Sequence, residues 1–105
     1  MKIKLQGEIY KIFDGMTIGR EPKNFLIVDP EYVSVSRKHA MFQIKEGEFY
    51  IIDTNSSFGT YVNGEKVGVP RELKPGDKII LGKGKTALEL EVLEGEIANV
   101  KENEK

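Results

Sequence analysis

Ala40-Met41-Phe42-Gln43-Ile44-Lys45-Glu46-Gly47 sets Ala40, Phe42 and Ile44 on one side of an extended chain and Met41, Gln43 and Lys45 on the other, then stops on a glycine. A period of two is the mark of a strand with one buried face. A glycine after it supplies the positive φ that a tight turn requires. The same alternation recurs at both ends of the chain. Ile3 and Leu5 oppose Lys2 and Lys4, and Leu88, Leu90 and Val92 oppose Glu89 and Glu91. Between such segments stand Gln6-Gly7, Asp14-Gly15, Asn63-Gly64, Pro75-Gly76-Asp77 and Gly82-Lys83-Gly84. Asn63-Gly64 is the strongest hairpin signal of the set. Before the tail no segment keeps an i, i+3, i+4 apolar pattern. The chain is therefore expected to be all-β, an antiparallel sandwich or small barrel with loops gathered at one end.

With 105 residues the chain is one domain, large enough for its own core. We expect the sandwich to occupy residues 1–93. Residues 94–105 are rich in charge and read as a tail, a linker or a short helix. The absence of cysteine removes disulfides and thiolate metal sites. With a single histidine and no loop of suitable acid spacing, neither a metal nor a cofactor is expected. A net charge of −1, from 16 basic and 17 acidic residues, creates no field that would draw in nucleic acid. The first residues lack the apolar run of a signal peptide, and no later run approaches a membrane span. A cytoplasmic domain without membrane contact is the expectation, so Asn55-Ser56-Ser57 carries little weight as a glycosylation acceptor.

Three loops hold the polar chemistry. Gly19-Arg20 closes the strand expected over Met16 to Ile18 and leads into Glu21-Pro22-Lys23-Asn24. Val33-Ser34-Val35-Ser36-Arg37-Lys38-His39 sets hydroxyls, two cations and an imidazole side by side, a composition suited to receiving an anion. Asp53-Thr54-Asn55-Ser56-Ser57-Phe58-Gly59-Thr60 is dense in side chains that can cap backbone in an irregular turn. Taken singly, a strand-end arginine is more often a surface charge, and a lone histidine more often bridges backbone than catalyses. Ser36 and His39 lack an orienting acid and an oxyanion hole, so the chain does not read as an enzyme. Gly84-Lys85-Thr86 imitates the end of a P-loop, but the position five before Gly84 is Ile79, not glycine.

Taken in order, Gly19-Arg20, Ser36-Arg37-Lys38-His39, Ser56 to Gly64 and Leu73 to Gly82 resemble a forkhead-associated (FHA) domain, and the resemblance extends from about Lys2 to Val92. It implies an eleven-stranded β-sandwich of two antiparallel sheets whose end loops bind phosphothreonine in a partner protein, in signalling linked to Ser/Thr kinases. By that resemblance Arg20 grips the phosphate and the Ser36 hydroxyl donates to it. Arg37 adds a further contact, and Ser57 contributes to the phosphate or to the threonine methyl. Lys38 and Phe58 are expected to face the peptide. His39 braces the loops from behind, with Gly19, Gly59 and Thr60 as structural support, and Asn63-Gly64 is a hairpin away from ligand. Ser34 stands where some relatives place a residue that reads the third side chain after the phosphothreonine, and a serine gives no preference for an acid there.

Phe58 departs from the family, which usually carries an asparagine before Gly-Thr to hydrogen-bond the peptide backbone. Either other polar groups hold the peptide and Phe58 offers an apolar wall, or affinity falls. The chain is expected to be a monomer, and the competing reading is a non-catalytic interaction sandwich that has lost or weakened phosphate recognition and binds an unmodified partner.

Overall fold

The computed structural model describes residues 1–94 and 100–101. Eleven strands lie between Lys2 and Leu93: β1 Lys2–Leu5, β2 Glu8–Lys11, β3 Thr17–Gly19, β4 Leu26–Ile27, β5 Ala40–Lys45, β6 Glu48–Asp53, β7 Thr60–Val62, β8 Glu65–Lys66, β9 Arg71–Glu72, β10 Lys78–Leu81 and β11 Leu88–Leu93. They form one sheet in the order β2-β1-β11-β10-β7-β8 and a second in the order β4-β3-β5-β6-β9. Only β3 and β4 among these pair in parallel. Val100–Lys101 (β12) adds a parallel pairing against β2 at the edge of the first sheet. The tail or short helix expected over residues 94–105 otherwise falls outside the described residues.

Alternation decides which face each strand buries. Ile3, Leu5, Leu90, Val92, Ile79, Leu81 and Val62 enter the core from the first sheet, and Ile18, Leu26, Ala40, Phe42 and Ile51 from the second. Register carries this across the ladders: Ile3 faces Val92, Ile79 faces Leu90 and Phe42 faces Ile51. Each of these side chains contributes about 1.5–3 kcal/mol by leaving water. Ile44, at the far end of β5, is only half-buried.

The turns follow the glycines. Gln6-Gly7, Glu46-Gly47 and Asn63-Gly64 each carry two consecutive positive φ values, 48° and 84°, 51° and 80°, 50° and 85°. That is the mirror-image turn whose twist matches a hairpin. The β5–β6 hairpin determines where the site lies. It leaves His39 at one end, turns at Glu46-Gly47, and returns to Asp53 alongside Ala40. One ladder thus delivers two of the three polar loops to the same end. β3 delivers the third, because it pairs with β5 at Thr17–Met41 and Ile18–Ala40. The strand expected over Met16 to Ile18 lies one residue later, so Gly19 ends it as an in-sheet residue.

Candidate functional site

The loop after β3 and the loop before β5 run side by side. The Arg20 N–H donates to the Ser36 carbonyl at 3.2 Å and the Glu21 N–H to the Arg37 carbonyl at 3.0 Å. The Arg20 Nε–H also donates to the Val35 carbonyl, which fixes the base of the guanidinium. This approach explains Gly19. A Cβ there would stand 2.2 Å from the Arg37 carbonyl oxygen, a backbone atom that cannot move aside. Asn24, 5 % exposed, closes the same seam, its amide donating to the Glu21 carbonyl at 2.8 Å and the Arg37 carbonyl at 2.7 Å.

The third loop is organised around Asp53. Its carboxylate accepts from the Ser56 hydroxyl at 2.6 Å, the Thr60 hydroxyl at 2.7 Å and the Ser56 N–H at 3.0 Å. The Ser56 oxygen in turn accepts the Gly59 N–H at 3.0 Å. Burial pushes the carboxyl up, but these donors outweigh it and hold Asp53 below its ordinary value of 3.8.

His39 joins the loops. It is fully buried, and its Nδ1 lies 2.9 Å from the Ser36 N–H. Nδ1 must accept, so the ring is neutral with its proton on Nε2, which donates to the Gly59 carbonyl at 2.9 Å. Burial pulls the imidazole below its ordinary 6.5, with the Gly59 carbonyl and the Asp53 charge opposing. The His39 carbonyl accepts the Thr54 N–H and its N–H reaches the Ile18 carbonyl, both at 3.0 Å.

Above this brace lies the exposed rim. The Ser57 N–H donates to Ser36 Oγ at 2.9 Å. The Ser36 oxygen is thereby engaged as an acceptor while its O–H keeps a donor for a ligand. Arg20, Ser36 and Ser57 are thus drawn to one rim, and Arg37 follows with an exposed side chain. Among the described residues, Arg20, Arg37, Lys38 and Lys83 take part in no ion pair, whereas Arg71, Lys74 and Lys78 are paired with Glu65, Glu72 and Glu89. The rim therefore presents positive charge without an internal counterion, the condition for holding an anion.

Lys38 and Phe58 do not share a depression. Lys38 lines one with Thr17, Glu21, Lys23 and Thr54, while Phe58 lines another with Val33, Lys83 and Thr86. Gly59 and Thr60 are buried. Ser34 is buried too, and its hydroxyl is spent on the loop after β10: Oγ accepts the Lys83 N–H at 3.0 Å and donates to the Thr86 carbonyl at 2.9 Å. Asn24 and this Ser34 latch escaped the sequence reading. An asparagine in the run Glu21-Pro22-Lys23-Asn24 reads as surface loop, and a contact spanning 49 residues leaves no local pattern. Asn63 binds Asp77 and the Lys78 N–H in its hairpin, away from the rim. Among the described residues no three His, Cys, Asp or Glu side chains converge to hold a metal.

A family model described as FHA domain matches residues 16–82. The chain is similar to an oxoglutarate dehydrogenase inhibitor from Corynebacterium efficiens, 47% identical over 70 residues that make up 64% of this chain and 45% of that protein. It is also similar to the glycogen accumulation regulator GarA from Mycolicibacterium smegmatis, 43% identical over 65 residues, 62% of this chain and 39% of the regulator. The chain thus spans less than half the length of these curated relatives. Among solved structures, one from a study of phosphothreonine-dependent FHA domain interactions superposes with a TM-score of 0.76 at 28% identity, covering 91% of this chain and 97% of its own. The FHA domain of FhaA, solved in complex with an intracellular domain of another protein, gives 0.72 at 29% identity, with 86% and 96% covered.

Proposed function

The chain belongs to the forkhead-associated domain family, and from that premise we propose that its loop end binds phosphothreonine in a partner protein, with Arg20 and Ser36 as the principal phosphate ligands. Arg37 and Ser57 supply further contacts, Phe58 faces the peptide on one flank and Lys38 on the other. The observation that carries this reading is the Ser36 hydroxyl, whose oxygen is occupied by the Ser57 N–H while its proton remains available beside uncompensated cations.

A phosphorylated threonine brings about −1.5 to −2 charge and three acceptor oxygens. Each charge-assisted hydrogen bond to it contributes roughly 1.5–3 kcal/mol net. Two guanidiniums, a hydroxyl and loop N–H groups can therefore separate phosphorylated from unmodified peptide by several kcal/mol. Ordering an extended peptide on a shallow surface offsets part of this, which sets the affinity in the micromolar range. The domain acts as a monomeric, non-catalytic cytoplasmic module in Ser/Thr-kinase signalling, reading protein rather than nucleic acid or membrane. The names of the two curated relatives, an inhibitor and a regulator, accord with a role in binding.

Fluorescence polarisation with matched phosphothreonine, phosphoserine and unmodified peptides tests the reading. We expect phosphothreonine-selective binding that Arg20→Ala weakens by about thirtyfold or more while the variant stays folded. Equal, weak binding of all three peptides would favour the second reading, a sandwich blind to phosphate. Phe58, in place of the family's usual asparagine, is the feature that supports that alternative.

A further inference from the structure

A depression of about 240 Å³ lies between the loop after β3, the loop before β5 and the loop after β6. Thr17, Glu21, Lys23, Lys38 and Thr54 line it, and neither lysine takes part in an ion pair among the described residues. Thr17 precedes the core residue Ile18 on β3, so alternation turns its side chain outward. Its Oγ1 accepts the Phe25 N–H at 3.0 Å, which leaves the O–H as a donor. Ser36 is engaged at the rim in the same way. Both walls are pinned to the segment that carries Lys38. The Asn24 amide ties the turn bearing Lys23 to the Arg37 carbonyl at 2.7 Å, and the Thr54 hydroxyl donates to the Lys38 carbonyl at 3.1 Å. Lys23 and Lys38 are exposed and supply the charge, of which Glu21 offsets only one.

A phosphate held by Arg20 and Ser36 leaves this second hydroxyl and its two lysines unused. Thr17 stands three residues before Arg20, and Lys38 two after Ser36. At about 3.3 Å per residue, these steps put the depression about 7–10 Å from the phosphate ligands, the span of two or three residues of extended peptide. Resting on the proposed phosphothreonine reading, we infer that the depression is a second anion site. It takes a phosphorylated or carboxylate side chain that the same partner carries two to four residues from its phosphothreonine. A donor between two ammoniums favours a phosphate over a carboxylate, because phosphate brings about −1.5 to −2 charge and three acceptor oxygens. Rim and depression together read a partner that is modified twice.

The test uses phosphothreonine peptides with Ala, Glu or phosphoserine at each position two to four residues to either side, measured by fluorescence polarisation. Counterparts unmodified at the threonine show how far phosphoserine occupies the rim in its stead. At one such position wild type is expected to bind the phosphoserine peptide about tenfold, and the Glu peptide about threefold, more tightly than the Ala peptide. Lys23→Ala, which alters an exposed side chain outside the rim, should reduce the phosphoserine gain to about twofold and leave binding of the Ala peptide unchanged. Thr17→Ser, which keeps the hydroxyl, should retain the gain. No gain at any position, a gain that survives Lys23→Ala, or a gain lost instead in Lys83→Ala overturns the inference alone. Equal gains from Glu and phosphoserine overturn the second phosphate as the favoured guest. Absence of phosphate-dependent binding in wild type brings down the functional reading and the second site with it.

Discussion

Ser34 and Ser36 are two residues apart in one loop and serve opposite layers of the molecule. Ser34 is buried, with its hydroxyl consumed by Lys83 and Thr86, whereas Ser36 keeps its proton for the outside. The same division separates the brace, His39, Asp53, Asn24 and Ser34, from the rim, Arg20, Arg37, Ser57 and Phe58. In the brace every polar group named has an internal partner. On the rim the cations have no counterion among the described residues. A satisfied layer holds shape, and an unsatisfied one is free to bind. Brace substitutions should therefore cost stability and binding together, rim substitutions binding alone.

The largest effect is expected from His39→Ala, which leaves the Ser36 N–H without a partner, takes one of its two donors from the Gly59 carbonyl and opens a cavity. It should cost about 3 kcal/mol of stability in urea unfolding and also remove phosphopeptide binding. Arg20→Ala comes next, with a loss of about thirtyfold or more in affinity but less than about 1 kcal/mol of stability. A large stability loss in that variant would erase the distinction between the layers.

Asp53→Asn should cost about 1–2 kcal/mol, since an amide accepts less strongly from Ser56 and Thr60. Acid sharpens the comparison further. His39 is held neutral, with its folded pKa below the ordinary 6.5. The stability it contributes is whole above that value and is lost as pH falls toward the folded pKa. Asp53, held below 3.8, gives up its share only at lower pH, as its carboxylate is protonated. Unfolding curves should therefore weaken in two separate pH windows. Peptide affinity should also decline below pH ~6, where the phosphate loses its second charge. Constant affinity from about pH 7.5 to 5 would argue against a dianionic ligand. The smallest effect is expected from Ser57→Ala. Its N–H, not its side chain, holds Ser36, so affinity should fall about threefold with no change in melting temperature.

Much of the fold was legible because the first and last strands and β5 alternate cleanly, and because three of the X-Gly pairs fall on positive φ as a hairpin demands. β4 and β9 were not, being two residues each and set by neighbours rather than by their own pattern. The placement of β3 slipped by one residue because Gly19 reads as a breaker, yet it is needed for close approach to Arg37. At the site, the clustered hydroxyls and cations of the second and third loops were visible as composition. The partners that orient them were not. Asn24 meets Arg37 across 13 residues and Ser34 meets Thr86 across 52, distances at which only the folded sheet order brings chains together.

The Glu46-Gly47 turn lies at the far end of a hairpin whose two six-residue strands run back to His39 and Asp53. At about 3.3 Å per residue, that places it about 20 Å from the rim. A dye or an inserted protein at that turn would leave the opening uncrowded. The hairpin thus offers a ready handle for labelling or tethering this domain.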